Sequence, residues 1–508
     1  DLDVLAYDVS GIRVTFHRNF AIENYGRADT FDLILASSCW GHMMEDWNPA
    51  TAEYDLLINQ TPCNGEIGKT DQTDKTQHAG GTILPIDLNG DQLTDVVVSD
   101  IGVNYMVAGY NGGTQTIASM NAKDTLFPSN TKRVEIKSFP GAFYVDVGGT
   151  AARDLIVAPN ERNFVANRNG IWRYNNTGTD DSPIFEFEKK AFLQDQMLDG
   201  GASSVPLFTD FDNDGDQDLL LAIGELVDPE LLDPNISRGY IQVYQNTGSD
   251  SLPEFQLVEA DYFEFLTKTF EDPVTGLKPT AADLDGDGDE DLLIGTEERK
   301  FLYFENTTAG GELSYDYITD DFGGLNNAAT WYRPAPELYD LDQDGDQDLL
   351  VGTIQGFVRY FENTGSATQP SFTFVTDSLG KFAVNEPPAN PYVGYLIPRV
   401  VDYDFDGQPE LMAGNIFGKL FAFDKLETAL TEPMPLMFQT PVQTFSRKNS
   451  APAYLKTHAD SGWVIVGEQG GGLFSYRHQL QLFDKDDVPT DTVPNDTTSR
   501  LEELATLQ

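Results

Sequence analysis

Short apolar runs recur along the chain, and turn-forming residues separate each run from the next segment. Their length and the flanking turns favour buried strands over helices. After a turn, usually containing glycine, comes an alternating strand that ends in an aromatic residue and Asn-Thr-Gly, residues that favour a turn. The buried runs lie at residues 96–98, 155–157, 219–221, 292–294, 349–351 and 411–413, and clear examples of the alternating strand lie at residues 171–178, 241–248 and 358–365.

A nine-residue acidic loop precedes each of these apolar runs. The fullest copy, residues 283–291, has carboxylates at positions 1, 3, 5, 7 and 9 and Gly288 at position 6, where glycine permits a sharp turn. The clear copies start at residues 87, 210, 283, 340 and 402. A degenerate copy at 146–154 has Gly148 and Thr150 in place of two carboxylates. The six starts are about 63 residues apart on average, which indicates a structural repeat.

Each repeat predicts a strand, an acidic loop, a buried strand, a turn, a third strand, a turn and an outer strand. Four antiparallel strands in a unit of this size are typical of a β-propeller blade, which buries its faces against neighbouring blades. Two further units at the chain ends lack the full loop. The sequence therefore predicts an all-β propeller of eight four-stranded blades, or seven blades with an N-terminal appendage.

The domain boundaries follow from where this pattern stops. Residues 1–483 form the predicted propeller, with an irregular insertion at about 40–81. Residues 484–508 are polar, acidic and proline-bearing, and they predict an extended linker or tail. The chain begins directly in a strand-like segment without a visible signal peptide, so we expect a mature or truncated start.

The charge balance excludes some classes of partner. With 82 acidic and 32 basic residues the net charge is −50, whereas nucleic acids and anionic membranes require a basic surface. No apolar run approaches the roughly 18 residues of a membrane-spanning helix. Cys39 and Cys63 either form one disulfide in an oxidising compartment or remain two buried thiols.

The acidic loops are candidate calcium sites, because Ca²⁺ takes six to eight oxygen ligands in flexible geometry. The acidic loops and the strands that follow them resemble the FG-GAP/VCBS repeat family of β-propellers. That resemblance implies calcium bound between the first two strands of a blade, with side-chain ligands at positions 1, 3, 5 and 9 and a backbone carbonyl at position 7. About four to five ions are implied.

The residues that the resemblance assigns to these sites fall in five sets. Asn89 and Gln92 depart from the pattern and imply weaker binding in the first loop, and the copy at 146–154 is expected to hold no ion. The sets are Asp87, Asn89, Asp91, Leu93 and Asp95; Asp210, Asp212, Asp214, Asp216 and Asp218; Asp283, Asp285, Asp287, Asp289 and Asp291; Asp340, Asp342, Asp344, Asp346 and Asp348; and Asp402, Asp404, Asp406, Gln408 and Glu410.

The repeat style and acidic tail are also similar to secreted Bacteroidota proteins, which a type IX system exports through a C-terminal sorting domain. That similarity implies an extracellular or outer-surface location, and a sorting domain that would begin near the end of this chain. It also implies O-glycosylation at short triplets, which begin at Asp124, Asp250, Asp377, Asp491 and Asp496.

Two hypotheses about function remain open. The first is a non-catalytic secreted or cell-surface scaffold that binds an unknown protein or glycan, for which adhesion is one role. The second is a polysaccharide lyase or glycoside hydrolase, which would need two carboxylates facing one cleft. The nearest such residues are Glu45 and Asp46, beside Trp40 and Trp47, in a segment that is either a sugar-stacking surface or a packed cap. No nucleophile, phosphate-loop or zinc motif is present in the sequence.

Overall fold

The structure is a computed structural model, and it divides into two compact units, Asp1–Gln196 (unit 1) and Met197–Gln508 (unit 2). It describes all residues except 1, 10, 49–52, 61–80, 137–138, 150–151, 161–167, 199, 227–236, 267–272, 310–312, 328–332, 383, 385–394, 441–448, 459–460, 480–501 and 504–508.

The described part of unit 1 contains a three-stranded sheet, a two-stranded hairpin and two four-stranded sheets. The three-stranded sheet has β1 (Val4–Tyr7), β2 (Val14–Asn19) and β3 (Leu33–Ser37), and the hairpin has β4 (Met44–Asn48) and β5 (Glu53–Leu57). The next sheet has β6 (Thr82–Ile86), β7 (Asp95–Ser99), β8 (Met106–Asn111) and β9 (Met120–Phe127). The last has β10 (Pro140–Val145), β11 (Asp154–Pro159), β12 (Trp172–Asn176) and β13 (Phe185–Lys189).

The described part of unit 2 contains five four-stranded sheets. The first has β14 (Ala202–Thr209), β15 (Asp218–Leu226), β16 (Arg238–Asn246) and β17 (Phe255–Glu259), and the second has β18 (Lys278–Ala282), β19 (Asp291–Gly295), β20 (Phe301–Asn306) and β21 (Tyr315–Thr319). The third has β22 (Ala335–Tyr339), β23 (Asp348–Gly352), β24 (Val358–Asn363) and β25 (Phe372–Thr376). The last two have β26 (Ile397–Val401), β27 (Glu410–Gly414), β28 (Leu420–Phe423) and β29 (Leu436–Gln439), and β30 (Ala451–His458), β31 (Ser461–Gly467), β32 (Leu473–Gln479) and β33 (Glu502–Glu503).

Helical structure is short throughout the described residues. The α-helix α1 spans Ala21–Tyr25, and the 3-10 helices span Trp40–His42, Gln194–Gln196, Phe322–Asn327, Leu379–Lys381 and Leu426–Thr428. None of these helices is long and apolar enough to cross a membrane.

Every four-stranded sheet has the predicted order, in which consecutive strands pair as antiparallel neighbours. The apolar run after each acidic loop forms the second strand, and all five residues of β7, β19, β23 and β27 are buried. The outermost strands β17, β21 and β25 are mostly exposed. Side chains from neighbouring sheets meet in shared apolar clusters, one of which joins residues of β15, β16, β19 and β20. The all-β, propeller-like architecture predicted from the sequence is confirmed.

Unit 2 closes on itself as a ring of five sheets. Its innermost strands contact one another in the cycle β14, β18, β22, β26, β30 and back to β14. The backbone amide of Ser204 donates to the carbonyl of Glu468, which joins the first sheet to the last at 3.1 Å. Five of the repeating sheets therefore complete a ring among the described residues of unit 2, and the expected count of eight or seven blades in one ring is not confirmed.

A glycine near the end of the second strand makes these ring contacts possible. A Cβ on Gly352 would lie 2.2 Å from the carbonyl oxygen of Leu396 in the next sheet, and a Cβ on Gly467 would lie 2.0 Å from that of Ser204. Both distances are too short for any side chain. The close approach of Gly467 to Ser204 joins the last sheet to the first and so closes the ring.

The structure contains strands in two segments that the sequence pattern predicted to be irregular or extended. The segment expected to be irregular at about 40–81 contains the β4–β5 hairpin and a 3-10 helix, while residues 61–80 lie outside the described residues. Part of the predicted tail, Glu502–Glu503, pairs with β32 as the outermost strand of the last sheet. A two-residue strand carries no periodicity, so the sequence pattern contained no signal for it.

Candidate metal centres

Four of the acidic loops in unit 2 gather three carboxylates so closely that their oxygens lie within 4.8 Å of one another. Three sets use positions 1, 3 and 9, and the loop at 340–348 uses positions 1, 3 and 5. Each loop connects the first and second strands of its sheet. The sets are Asp210, Asp212 and Asp218; Asp283, Asp285 and Asp291; Asp340, Asp342 and Asp344; and Asp402, Asp404 and Glu410.

The carboxylate at position 1 shapes each loop by accepting hydrogen bonds from the loop backbone. Asp210 accepts from the amides of Asp214 at 3.1 Å and Gly215 at 3.0 Å. Asp340 accepts from Asp344 and Gly345 at 3.1 Å each. These bonds fold the loop around its own first side chain, and Gly215 and Gly345 both adopt a positive φ of 98°. Local sequence alone therefore builds much of the loop.

The carboxylate at position 9 begins the second strand and is almost fully buried. Asp291 accepts from the amides of Leu284 at 3.0 Å and Asn306 at 2.8 Å and from the Tyr303 hydroxyl at 3.0 Å. It thereby ties the loop to the end of the third strand. Asp348 makes the equivalent three bonds, one of them with the Tyr360 hydroxyl at 2.9 Å.

The asparagine at the end of the third strand extends this connection to the next turn. Asn363 donates its amide to Asp348, and its side-chain oxygen accepts from the amides of Gly365 at 3.0 Å and Ser371 at 2.8 Å. Asn246 makes the equivalent set with Asp218, Gly248 and Glu254. The sequence pattern identified this asparagine only as a turn residue. Its recurrence 15 or more residues after position 9 was the available signal that it contacts the position 9 carboxylate.

The four loops concentrate negative charge, and no basic side chain pairs with them among the residues that the structure describes. Burial raises the pKa of Asp218 to about 7, that of Asp291 to about 6 and that of Glu410 to about 7, although backbone hydrogen bonds act in the opposite direction. These shifts arise because the charged form is desolvated. A bound cation would stabilise the charged carboxylates and so offset the cost of desolvating them.

Position 7 has an acidic side chain in three of these loops, besides the backbone carbonyl that the family resemblance implies as a ligand. One buried side-chain oxygen each of Asp216, Asp289 and Asp346 has no hydrogen-bond partner among the described residues, and the same is true of Asp212 Oδ1. Buried polar atoms are normally satisfied, so an unsatisfied oxygen beside gathered carboxylates fits a cation-binding position. An oxygen-only donor set suits Ca²⁺, so these loops fit the implied ion.

The position 5 residues lie outside the gathered sets in three of the four loops. Asp214, Asp287 and Asp406 are not in the gathered sets, and each accepts a hydrogen bond from the position 7 amide of its own loop. The expectation that they bind metal through their side chains is not tested by these contacts.

The loop at 87–95 folds in the same way, but its three acidic residues are not among the sets gathered in the described residues. Asp87 accepts from the amides of Gly90 and Gln92, and the side chain of Asn89 accepts from Asp91. Leu93 donates its amide to Asp91. Asp95 is buried, and burial raises its pKa to about 6.

In the degenerate repeat an arginine pairs with the position 9 carboxylate. Asp154, the position 9 residue, accepts from the guanidinium Nη2 of Arg173 at 3.0 Å and from the amide of Asn176 at 3.0 Å. Arg173 lies on β12 and its side chain is 17% exposed. The sequence indicated that this loop holds no ion, but it gave no signal that an internal arginine takes over the charge.

The candidate catalytic acids in unit 1 do not form a cleft with two free carboxylates. Glu45 is buried, and it accepts hydrogen bonds from the hydroxyls of Tyr7 and Tyr54. Trp40 belongs to the adjoining apolar cluster, whereas Asp46 is exposed and the side chain of Trp47 lies outside the described residues. The packed-cap interpretation fits these contacts. Cys39 takes part in a disulfide, and because Cys63 lies outside the described residues the predicted pairing stays a prediction.

Comparisons with known proteins match the repeats. Residues 210–294 and 340–413 match the FG-GAP-like repeat family model. Integrin alpha-3 from Cricetulus griseus is 27% identical over 157 residues, covering 27% of this chain and 13% of the integrin. Integrin alpha-4 from Xenopus laevis is 30% identical over 112 residues, covering 19% of this chain and 10% of the integrin. The matched segments are thus a small part of those relatives.

Solved structures give a weaker similarity. An Agrocybe aegerita lectin that recognises non-reducing terminal N-acetylglucosamine aligns with a TM-score of 0.28 and 12% identity, covering 78% of this chain and 90% of the lectin. The NanB sialidase of Streptococcus pneumoniae aligns with a TM-score of 0.30 and 10% identity, covering 93% of this chain and 90% of the sialidase. Similarities at this level carry no argument about what this chain does.

Proposed function

We propose that this chain, which carries FG-GAP-like repeats, is a calcium-stabilised β-propeller scaffold that binds a protein or glycan without catalysing a reaction on it. The observation that carries the proposal is the fourfold recurrence of three gathered carboxylates in the same loop of successive sheets. A catalytic centre would be a single special arrangement. Four equivalent arrangements at the same structural position are typical of fold-stabilising sites.

The physical role of each ion would be to convert a repulsive loop into a fixed connection between two strands. Four Ca²⁺ ions would change the formal net charge of −50 to −42, so the protein stays strongly acidic. Calcium at about a hundred times its Kd adds roughly 2.7 kcal/mol per independent site. Extracellular modules bind calcium with a Kd on the order of 10⁻⁴–10⁻³ M, so such sites fill only where calcium is abundant.

This calcium requirement supports a secreted or outer-surface location. The integrins that match here are relatives over short segments only, so their names supply no partner for this chain. Export by a type IX system is part of the same proposal. Loops on a repeat scaffold are common positions for binding residues, which supports a binding role, with adhesion as one form of it.

The proposal is tested by measuring thermal unfolding in EDTA, in EDTA with excess Mg²⁺, and in excess Ca²⁺. We expect the melting temperature to rise with Ca²⁺ and to change little with Mg²⁺, which prefers a stricter octahedral site. A glycan array and a pull-down on intact cells, both performed with and without Ca²⁺, test the binding role. An identical melting temperature in EDTA and in Ca²⁺ would contradict calcium stabilisation.

A further inference from the structure

One outer strand of unit 1 carries three consecutive aliphatic residues at the surface. Leu33, Ile34 and Leu35 of β3 are between 42% and 54% exposed. Because successive side chains of a strand point to opposite faces, Leu33 and Leu35 share one face and Ile34 lies on the other. Among the described residues β3 pairs only with β2, so the second edge of β3 faces no other strand.

The apolar surface continues beyond the strand. Phe31, directly before β3, and Tyr25 on α1 are both exposed. The helix is fixed beside the start of β3, because the carboxylate of Asp32 accepts from the side-chain amide of Asn24 at 2.7 Å and its carbonyl accepts from the amide of Phe20 at 2.9 Å. Contiguous exposed apolar patches on soluble proteins mark interaction sites. The β3 patch consists of Tyr25, Phe31, Leu33, Ile34 and Leu35.

The β3 patch lies in a part of the chain where the charges balance. Residues 13–42, which include β2, α1 and β3, contain three basic and three acidic residues, in a chain with a net charge of −50. Two pairs form locally, since Arg18 donates to Glu23 at 3.0 Å and Arg27 donates to Asp29 at 2.6 Å. A large net charge keeps copies of a protein apart. Two copies of this chain therefore repel each other least where such neutral surfaces meet.

The other outer strands lack this combination of apolar surface and neutral surroundings. Charged residues protect exposed strand edges, and β9, β13, β17, β21 and β33 each contain at least one. The strand β25 has no charged residue, but its sheet, residues 335–376, contains seven acidic residues and one basic residue. The strand β29 also has none, and its one exposed large apolar side chain is that of Leu436.

The sequence of β3 is suited to pairing with itself. In an antiparallel pairing of two copies centred on Ile34, this residue faces its own counterpart, and Leu33 of each copy faces Leu35 of the other. Asp32 faces Ala36, so no like charges lie opposite each other. Apolar cross-strand pairs stabilise a sheet, whereas like charges directly opposite each other destabilise it.

We propose that the β3 patch is a self-association surface, at which the β3 strands of two copies of this chain pair in antiparallel fashion across a two-fold axis. Identical surfaces related by a two-fold axis form the commonest class of protein oligomer. This proposal goes beyond the scaffold function, because it concerns a contact within unit 1 that involves none of the candidate metal loops. The dimer displays two copies of any binding surface, which raises avidity for a multivalent partner by about 10²–10⁴ where both copies engage.

Sedimentation velocity of the full chain over a range of concentrations in excess Ca²⁺ tests the proposal. We expect a monomer–dimer equilibrium that shifts towards the dimer as the concentration rises. Raising NaCl from about 0.1 to about 1 M shortens the Debye length from about 10 to about 3 Å, so screening of the repulsion between two acidic copies should strengthen the dimer. A monomer at every concentration and both salt levels would overturn the proposal, and so would a dimer that dissociates at high salt.

Two matched variants locate the contact. Ile34→Lys places like charges opposite each other and should weaken dimerisation about tenfold or more. Ile318→Lys on the outer strand β21 is the control, because Ile318 is 49% exposed against 51% for Ile34. Both variants change the net charge equally, so a loss confined to Ile34→Lys does not come from overall repulsion. Equal dimerisation by the two variants would contradict the proposal. If circular dichroism shows that Ile34→Lys does not fold, Leu35→Lys takes its place against the same control.

Hydrogen exchange followed by mass spectrometry tests the strand pairing itself. Dimerisation should slow exchange in residues 31–37, because amides on the second edge of β3 become hydrogen-bonded, whereas exchange in β21 should keep its rate. Unchanged exchange in residues 31–37 of a sample that sedimentation shows to be dimeric would exclude pairing through β3.

Discussion

At the scale of single residues, two carboxylates of the same loop have different functions. Asp291 is fully buried and connects the loop to the third strand through three hydrogen bonds, so it supports the fold whether or not an ion is bound. Asp285, two residues into the loop, is only half-buried and gathers with Asp283 and Asp291. Sequence spacing gave both residues the same role as metal ligands.

We therefore expect Asp291→Ala to lower the free energy of unfolding in EDTA as well as in Ca²⁺. The loss should be about 3 kcal/mol or more, because buried donors lose their acceptor. Asp285→Ala should have its main effect in Ca²⁺. Urea denaturation of both variants in the two conditions measures the difference. Equal stability of Asp291→Ala and wild type in EDTA would show that position 9 acts only through the ion.

Glu45 predicts a pH dependence in unit 1. Burial raises its pKa to about 8, even though the hydroxyls of Tyr7 and Tyr54 donate to it, and Asp100 adds to the upward shift. Because the folded pKa lies above the unfolded value of 4.5, its contribution to stability is full below about pH 4.5 and is lost as pH rises through 8.

The corresponding variant is Glu45→Gln. It should remove this fall in the free energy of unfolding with rising pH, by about 1.4 kcal/mol for each unit of pKa shift removed. Urea denaturation between pH 5 and about 9 in constant excess Ca²⁺ is the measurement. Glu23→Gln, at an exposed residue paired with Arg18, is the control and should keep the wild-type profile. A profile that is unchanged in Glu45→Gln would assign the pH dependence to other groups.

At the scale of secondary-structure elements, the inner strands of unit 2 are joined by polar as well as apolar contacts. Arg399 on β26 reaches Glu337 on β22 and the carbonyl of Pro279 on β18. The Thr280 hydroxyl on β18 donates to the same carboxylate at 3.3 Å. Three consecutive sheets are thus held in register near the centre of the ring.

Removal of one partner should be costly because it leaves a buried charge alone. We expect Arg399→Met to lower the free energy of unfolding by about 3–5 kcal/mol, and the double variant Glu337→Leu with Arg399→Met to recover most of that loss. Guanidinium denaturation of the single and double variants measures both values. A cost below about 1 kcal/mol for Arg399→Met would mean that water replaces the pair.

At the scale of the whole molecule, the candidate ions are unevenly distributed. All four gathered carboxylate sets among the described residues lie in unit 2. In unit 1, the loop at 87–95 has an asparagine at position 3, and the position 9 carboxylate of the loop at 146–154 pairs with an arginine. Each unit has its own apolar clusters. Calcium should therefore act on one unit and leave the other nearly unaffected.

Limited proteolysis followed by mass spectrometry tests this difference. Addition of EDTA should speed cleavage within residues 197–508 several-fold, because bound calcium no longer opposes local opening there. Cleavage within residues 1–196 should keep its rate in the same samples, which makes unit 1 the internal control. Equal acceleration in both units would contradict the assignment of calcium stabilisation to unit 2.

The sequence by itself determined the repeat, the strand order within each sheet and the loops that gather carboxylates. These features are local, because alternation, glycine positions and Asp-backbone bonds act over a few residues. Only the tertiary structure decided that five sheets close into a ring, since closure depends on how the backbone at Ser204 meets Gly467, residues far apart in the chain. The same holds for the pairing of Arg173 with Asp154. Charge neutralisation and enclosure depend on distances between segments, which spacing along a sequence does not specify.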